Sequence, residues 1–209
     1  MSNIIVWAVD IGSIKNGNFG WCRAYSFQNT THGESISDLA EGVAKDLLEG
    51  RRVALGFECP LFVPITTDPN DLTKARNGEG NRSWSAGAGC GALTTGLVEC
   101  VWIFERIREL AKMAATPVLD WDRFQGGEGN LFIWEAFVSK DAKGGSHTDD
   151  ATTAARAFWS KLPNMNEANA IKAAHPFSLV GAAMLRSGLS TDVQLLSQPC
   201  VVIVASGVI

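Results

Sequence analysis

The chain has 209 residues, of which 46% are hydrophobic and 19% charged, with a formal net charge of −4 and a pI near 5.4. This composition fits one large α/β domain with an elaborated loop. It excludes a protein held on nucleic acid by bulk charge, though not an enzyme with a local basic rim. Its five cysteines are scattered without a C-x-x-C pair, which argues against a disulfide framework or zinc site and for reduced thiols in the cytoplasm. The opening apolar run has no basic region before it, and no stretch reads as a membrane span.

The elements follow in chain order. Residues Ile4 to Val9 form a continuous apolar, β-branched run, the pattern of a strand buried on both faces. That strand, about Ile4–Ile11, carries Asp10 at its end, followed by Ile11-Gly12-Ser13. Asn16-Gly17-Asn18 marks a turn, and Phe19 to Phe27 reads as an antiparallel return strand. Gln28 to Gly33 is too short for more than a turn or the stub of a third strand. Ser35 to Leu48 is a helix with Ile36, Leu39, Ala40, Val43 and Leu47 on its apolar side and Gly50 placed to end it. A second core strand, Val53–Phe57, ends in Glu58, followed by Cys59-Pro60.

Residues 58–90 are rich in Gly, Pro, Asn and Ser, and irregular segments of that length are usually functional or mobile. From Leu93 to Ala115 the spacing of Leu97, Val101, Phe104, Ile107, Leu110 and Ala111 is helical, with Pro117 as the stop. Leu131–Val138 is the next strand, and Ser146–Leu162 the next helix. Asn164–Ala174 and Pro176–Ser187 read as further helices, and Val201–Ala205 as a late edge strand. Without repeats or a composition break, residues 1–209 form a single domain.

The helix from Ser146 carries the most informative anomaly. Ala151, Ala154, Ala155, Phe158, Trp159 and Leu162 follow the rhythm of a core-facing stripe. Extended back one turn, that stripe reaches Asp150 and His147. A carboxylate and an imidazole at the head of a buried stripe are costly to desolvate unless paired or metal-bound. Asp10 and Glu58 end two core strands, and ligands of open α/β sheets gather at the carboxyl ends of strands. Three carboxylates at one point repel one another, so Asp10, Glu58 and Asp150 make sense as a cage for hard divalent cations. Their carboxylates are then expected within about 8 Å of one another. The competing readings are a turn or cap residue at Asp10, a loop acid at Glu58 and a satisfied buried histidine at His147. Asp149 is read differently, because Ser146-His147-Thr148-Asp149 has the capping-box spacing. Glu135, polar within an apolar strand, is read as sitting on an exposed strand face. In the 58–90 segment, Lys74, Arg76 and Arg82 are the basic residues and Trp84 an aromatic suited to stacking on a base. The alternative there is a solvated loop with its Trp tucked onto the core.

The order strand–Asp, return strand, helix, strand–Glu, strand, helix–Asp resembles that of the ribonuclease H-like superfamily. More narrowly, the chain resembles the family of predicted ribonuclease H-like nucleases. The carrying residues are Val9-Asp10-Ile11-Gly12, Glu58-Cys59-Pro60-Leu61-Phe62-Val63-Pro64, and His147-Thr148-Asp149-Asp150-Ala151. The last is also similar to the helix acid motif of RuvC-type junction resolvases. The resemblance implies a mixed sheet flanked by helices, with a long insertion after Glu58, and a divalent-metal-dependent nuclease. It implies two Mg²⁺ or Mn²⁺ ions about 4 Å apart, one activating water and the other stabilising the leaving oxygen. Asp10 would bridge them, Glu58 and Asp150 would complete the ligand set, and His147 would be a ligand or proton shuttle. It further implies branched or single-stranded nucleic acid as partner, and leaves a homodimer open. The rivals are a catalytically silent binding module of the same fold and an ATPase-like domain, which shares the Asp10-Ile11-Gly12 beginning.

Overall fold

A computed structural model describes residues 4–80 and 83–205. In chain order its strands are β1 (Ile4–Asp10), β2 (Gly20–Ala24), β3 (Thr30–Gly33), β4 (Arg52–Phe57), β5 (Phe62–Pro64), β6 (Pro117–Val118), β7 (Leu131–Val138), β8 (Pro176–Ser178) and β9 (Val202–Ala205). The helices are α1 (Ile36–Leu48), α2 (Gly87–Ala111), α3 (Trp121–Gln125), α4 (His147–Lys161), α5 (Met165–Ala168) and α6 (Leu179–Ser187). Every residue of β1 is buried, as its unbroken apolar run requires of a strand covered on both faces. β1 runs antiparallel to β2 and parallel to β4, and β4 runs parallel to β7. The main sheet has the order β3-β2-β1-β4-β7-β6, with β9 also on β7. It is a mixed sheet of parallel and antiparallel strands flanked by helices.

Strand alternation divides the core into two layers. Ile5, Trp7, Val9, Leu55 and Phe57 pack with α1, α2 and α6 through Leu39, Val43, Phe104 and Met184. Ile4, Val6, Ala8, Ala54, Phe132 and Trp134 point the other way, onto α3 and α4 through Trp121, Ala154, Ala155 and Phe158. Phe158 holds α4 to the sheet by packing on Trp134, the rings tilted at 42° with centroids 4.7 Å apart.

Of the two readings of residues 28–33, the stub of a third strand is the one found, as the four residues of β3 paired antiparallel with β2. Several other elements differ from the sequence expectation. α2 starts at Gly87, within a glycine-rich stretch whose low helix propensity hid it. α2 and its continuation to Ala114 make 28 residues that by length and composition could cross a membrane, contrary to the expectation of no such stretch. Its Cys100, Ile103, Phe104, Ile107 and Ala111 are nonetheless buried. The helix expected over Asn164–Ala174 is cut to α5, because the chain beyond it pairs with the last strand. Ala170 N–H donates to Val202 O at 2.9 Å, and Val202 N–H donates to Asn169 Oδ1 at 2.9 Å. Pro176–Ser178, expected as helix, is a strand pairing antiparallel with β5 inside the long insertion. All five cysteines are free.

Candidate metal centre

The same alternation that builds the core aims the acids. Even-numbered positions of β1 and β4 face α4, so Asp10, the last residue of β1, and Glu58, the first beyond β4, project toward it. The two strand ends are tied by the Glu58 N–H, which donates to Val9 O at 2.7 Å. α4 lays its first turn across them. Gly20, paired with Asp10 on β2, permits this: a Cβ there would stand 2.5 Å from the His147 carbonyl carbon. Ser146 caps α4, its hydroxyl accepting from the Asp149 N–H at 3.2 Å. Among the described residues no bond returns from the Asp149 carboxylate to Ser146, so the capping box is only half made.

Asp10, Glu58 and Asp150 each offer a carboxylate oxygen within 4.8 Å of the other two, tighter than the sequence required. His147 closes the cluster on one side, its Nδ1 lying 2.5 Å from Asp10 Oδ2. Lys143, from the turn before α4, closes it on the other. Its Nζ is 3.2 Å from Glu58 Oε1 and 2.9 Å from Asp150 Oδ2. The Gly144 N–H donates to the second Asp150 oxygen at 2.6 Å.

The charges act on one another as close packing dictates. Burial, reinforced by the charges of Asp10 and Asp150 and only partly offset by Lys143, pushes the Glu58 carboxyl up to about 8. Burial works to lower Lys143, but the charge of Glu58 and the bond to Asp150 outweigh it and hold the ammonium above its ordinary value. Glu58 Oε2 is buried with no hydrogen-bond partner. A crowded set of hard oxygen donors with an orphaned, buried carboxylate oxygen fits a divalent cation.

Sequence reasoning missed two residues here. Lys143 sits in an irregular turn where no periodicity marks it. Glu99 could have been found by the argument that found Asp150, since it stands four and eight residues before the buried Ile103 and Ile107 of α2. Its carboxyl is raised to about 7, chiefly by burial; a bond from the Gly12 backbone lowers it and the charge of Asp10 raises it. Between its usual 4.5 and about 7 the folded chain holds a proton that the unfolded chain has released. This contribution therefore makes stability fall as pH rises through that window and level off above it. Glu99→Gln should remove that slope, so that its stability relative to the parent climbs from pH 5 to pH 7 in urea unfolding. Parallel curves for the two proteins would contradict the assignment.

Among its described residues, the 58–90 segment puts no basic side chain into the lining of the site. Arg76 is buried, and its guanidinium grips Glu135 at 2.6 and 2.9 Å and Glu79 at 2.8 Å. It is an internal tie, not a substrate contact. Glu135 is correspondingly buried and not on an exposed face, and it also accepts from the Leu61 N–H at 2.9 Å. Its odd position in β7 puts it on the same side of the sheet as Leu131 and Ile133, and it lines the cavity onto which Asp10 and Glu58 also open. Lys74 is exposed and lies 3.5 Å from Asp71. Arg82 falls outside the described residues. Trp84 is half-buried, with its indole N–H donating to Lys74 O at 3.0 Å. It helps line a cavity of about 380 Å³ that opens beside Asp10, Glu58, Lys143 and His147.

No protein-family model, curated protein or solved structure matches this chain.

Proposed function

We propose that the protein is a divalent-metal-dependent phosphodiesterase of the ribonuclease H-like type, acting on nucleic acid with Mg²⁺ or Mn²⁺. The observation that carries this reading is the meeting of Asp10, Glu58 and Asp150 within 4.8 Å, from the ends of two adjacent parallel strands and the first turn of a helix. A sheet with β1 between an antiparallel hairpin and a parallel β4 supports it. When bound, divalent cations supply Lewis acidity that makes water a nucleophile and stabilises a leaving alkoxide.

The chain's own side chains supply the rest. The carboxylates of Asp10, Glu58 and Asp150 form the ligand set. His147 orients Asp10 through Nδ1 and, partly exposed at the cavity, is placed to move a proton to or from a phosphoester oxygen. Lys143 bridges Glu58 and Asp150 and offsets part of the negative charge of the cluster. The same reading takes the compartment to be the cytoplasm, in keeping with five unpaired cysteines.

The test is a panel of labelled single-stranded, duplex, hybrid and four-way-junction substrates, each with Mg²⁺ and with Mn²⁺. Cleavage should require the metal and stop in Asp10→Asn. A silent panel, or an Asp10→Asn protein as fast as the parent, defeats the reading. One observation favours a second: the ammonium of Lys143 already bridges two of the three acids, as suits a catalytically silent binding module. That module would not bind Mn²⁺ in calorimetry.

A further inference from the structure

The cavity beside the acids narrows the substrate, given the phosphodiesterase reading on which this inference rests. Its far wall is one face of α2. Gly96 touches the site end, where a Cβ would press on Cys59 Sγ at 2.4 Å and lie 3.4 Å from an Ile11 methyl. From there Thr95, Ala92, Gly91 and Ala88 line the cavity at helical spacing. At 1.5 Å rise per residue the wall from Thr95 to Ala88 runs about 10 Å. Trp84 stands just before the helix and is pinned by the Lys74 carbonyl. The cavity therefore joins a charged end, where His147 and Lys143 meet the carboxylates, to a wall of small side chains and one fixed indole, with Glu79 and Glu135, both paired to Arg76, also in its lining.

Size and charge both argue against a duplex. A volume of about 380 Å³ lies near the low end of the ~300–1,000 Å³ typical of small-molecule sites. Proteins that hold duplex DNA neutralise several phosphates with Lys and Arg. Among the described residues Lys143 is the one Lys or Arg lining this cavity, and Arg76 behind it is spent on Glu79 and Glu135.

We infer that the cavity binds a single nucleotide unit, free or at the end of a single strand, with its phosphate at the acidic cluster and its base against Trp84 and the α2 wall. The carboxylates repel a phosphate until cations neutralise them, so binding of the two is mutually reinforcing.

Gly91 supplies the test. A Cβ there meets no atom within 4 Å, so Gly91→Phe fills the cavity without a backbone clash, and replacing a helical glycine does not weaken the helix. The probes are Mn²⁺ alone, thymidine 5′-monophosphate, thymidine, a 5′-phosphorylated single-stranded oligonucleotide and a blunt duplex, each titrated calorimetrically. The monophosphate should bind only with Mn²⁺, thymidine and the duplex should bind at least tenfold more weakly, and Gly91→Phe should weaken the monophosphate at least tenfold while binding Mn²⁺ like the parent. An oligonucleotide that binds more tightly than the monophosphate assigns the site to strand ends; the reverse assigns it to free nucleotides. Mn²⁺ binding without monophosphate binding, or a Gly91→Phe protein that binds the monophosphate as the parent does, overturns the inference and leaves the metal centre standing. Monophosphate binding that needs no Mn²⁺ but is lost in Gly91→Phe keeps the cavity and removes the metal reading instead.

Discussion

Asp150→Asn should abolish Mn²⁺ binding, whereas Asp149→Asn should leave it unchanged and cost only a small amount of stability. The two residues are neighbours in sequence but about 100° apart around α4. Asp150 continues the buried stripe of Ala151, Ala154 and Phe158, and its oxygens take the Lys143 ammonium and the Gly144 N–H. An amide there loses the charge that a hard cation needs and turns an N–H₂ group toward Lys143 or the metal. Asp149 is exposed, and its backbone N–H, which the substitution keeps, is what Ser146 caps. Its carboxylate adds only a favourable charge at the helix N-terminus, worth about 0.3–1 kcal/mol. Calorimetric titration of both variants decides the matter. Equal losses of Mn²⁺ affinity, or the reverse order, would mean that the buried face of α4 is not what organises the site.

The triad was legible because two local patterns point at it. Asp10 and Glu58 each end a continuous apolar run, at the strand ends where ligands of α/β sheets gather, and period 3.6 along α4 sets the phase of Asp150. Such patterns survive without any knowledge of partners. The Glu135 assignment failed because a single polar residue in an apolar strand has two explanations, solvent or a buried counter-charge. Its counter-charge, Arg76, lies 59 residues away in a segment with no periodicity. Arg76 was misread for the same reason, since loop composition says nothing about burial. Lys143 was invisible on the same ground. Glu99, by contrast, was available and overlooked, as its phase on α2 matches Ile103 and Ile107. The truncation of α5 by Asn169 and Val202 is a long-range pairing overriding a helical pattern.

Arg76→Ala should cost about 3–5 kcal/mol of stability, the usual penalty for removing one partner of a buried ion pair. Against the 5–15 kcal/mol typical of a folded domain, that is a large share. The cost arises because Glu79 and Glu135, each with a side chain 1% exposed, would lose their shared counter-charge. The tie also spans three segments: Arg76 donates to Phe62 O at 3.1 Å, its own N–H reaches Glu79 at 2.7 Å, and Glu135 holds the Leu61 N–H. The insertion after Glu58 is thus tied to β7 through this guanidinium and through the Leu61 N–H on Glu135. Burial opposes its charge, but Glu135 and Glu79 together hold it firmly protonated. The triple variant Arg76→Met, Glu79→Gln, Glu135→Met removes all three charges and should regain most of the loss, because a buried ion cluster is often no more stable than well-packed neutral side chains. Urea unfolding of the parent, the single and the triple variants measures both steps. A single variant within about 1 kcal/mol of the parent would show that Arg76 is not a structural tie. Weakened nucleic-acid binding in that same, fully stable protein would return it to the substrate-binding role that its position in the loop first suggested.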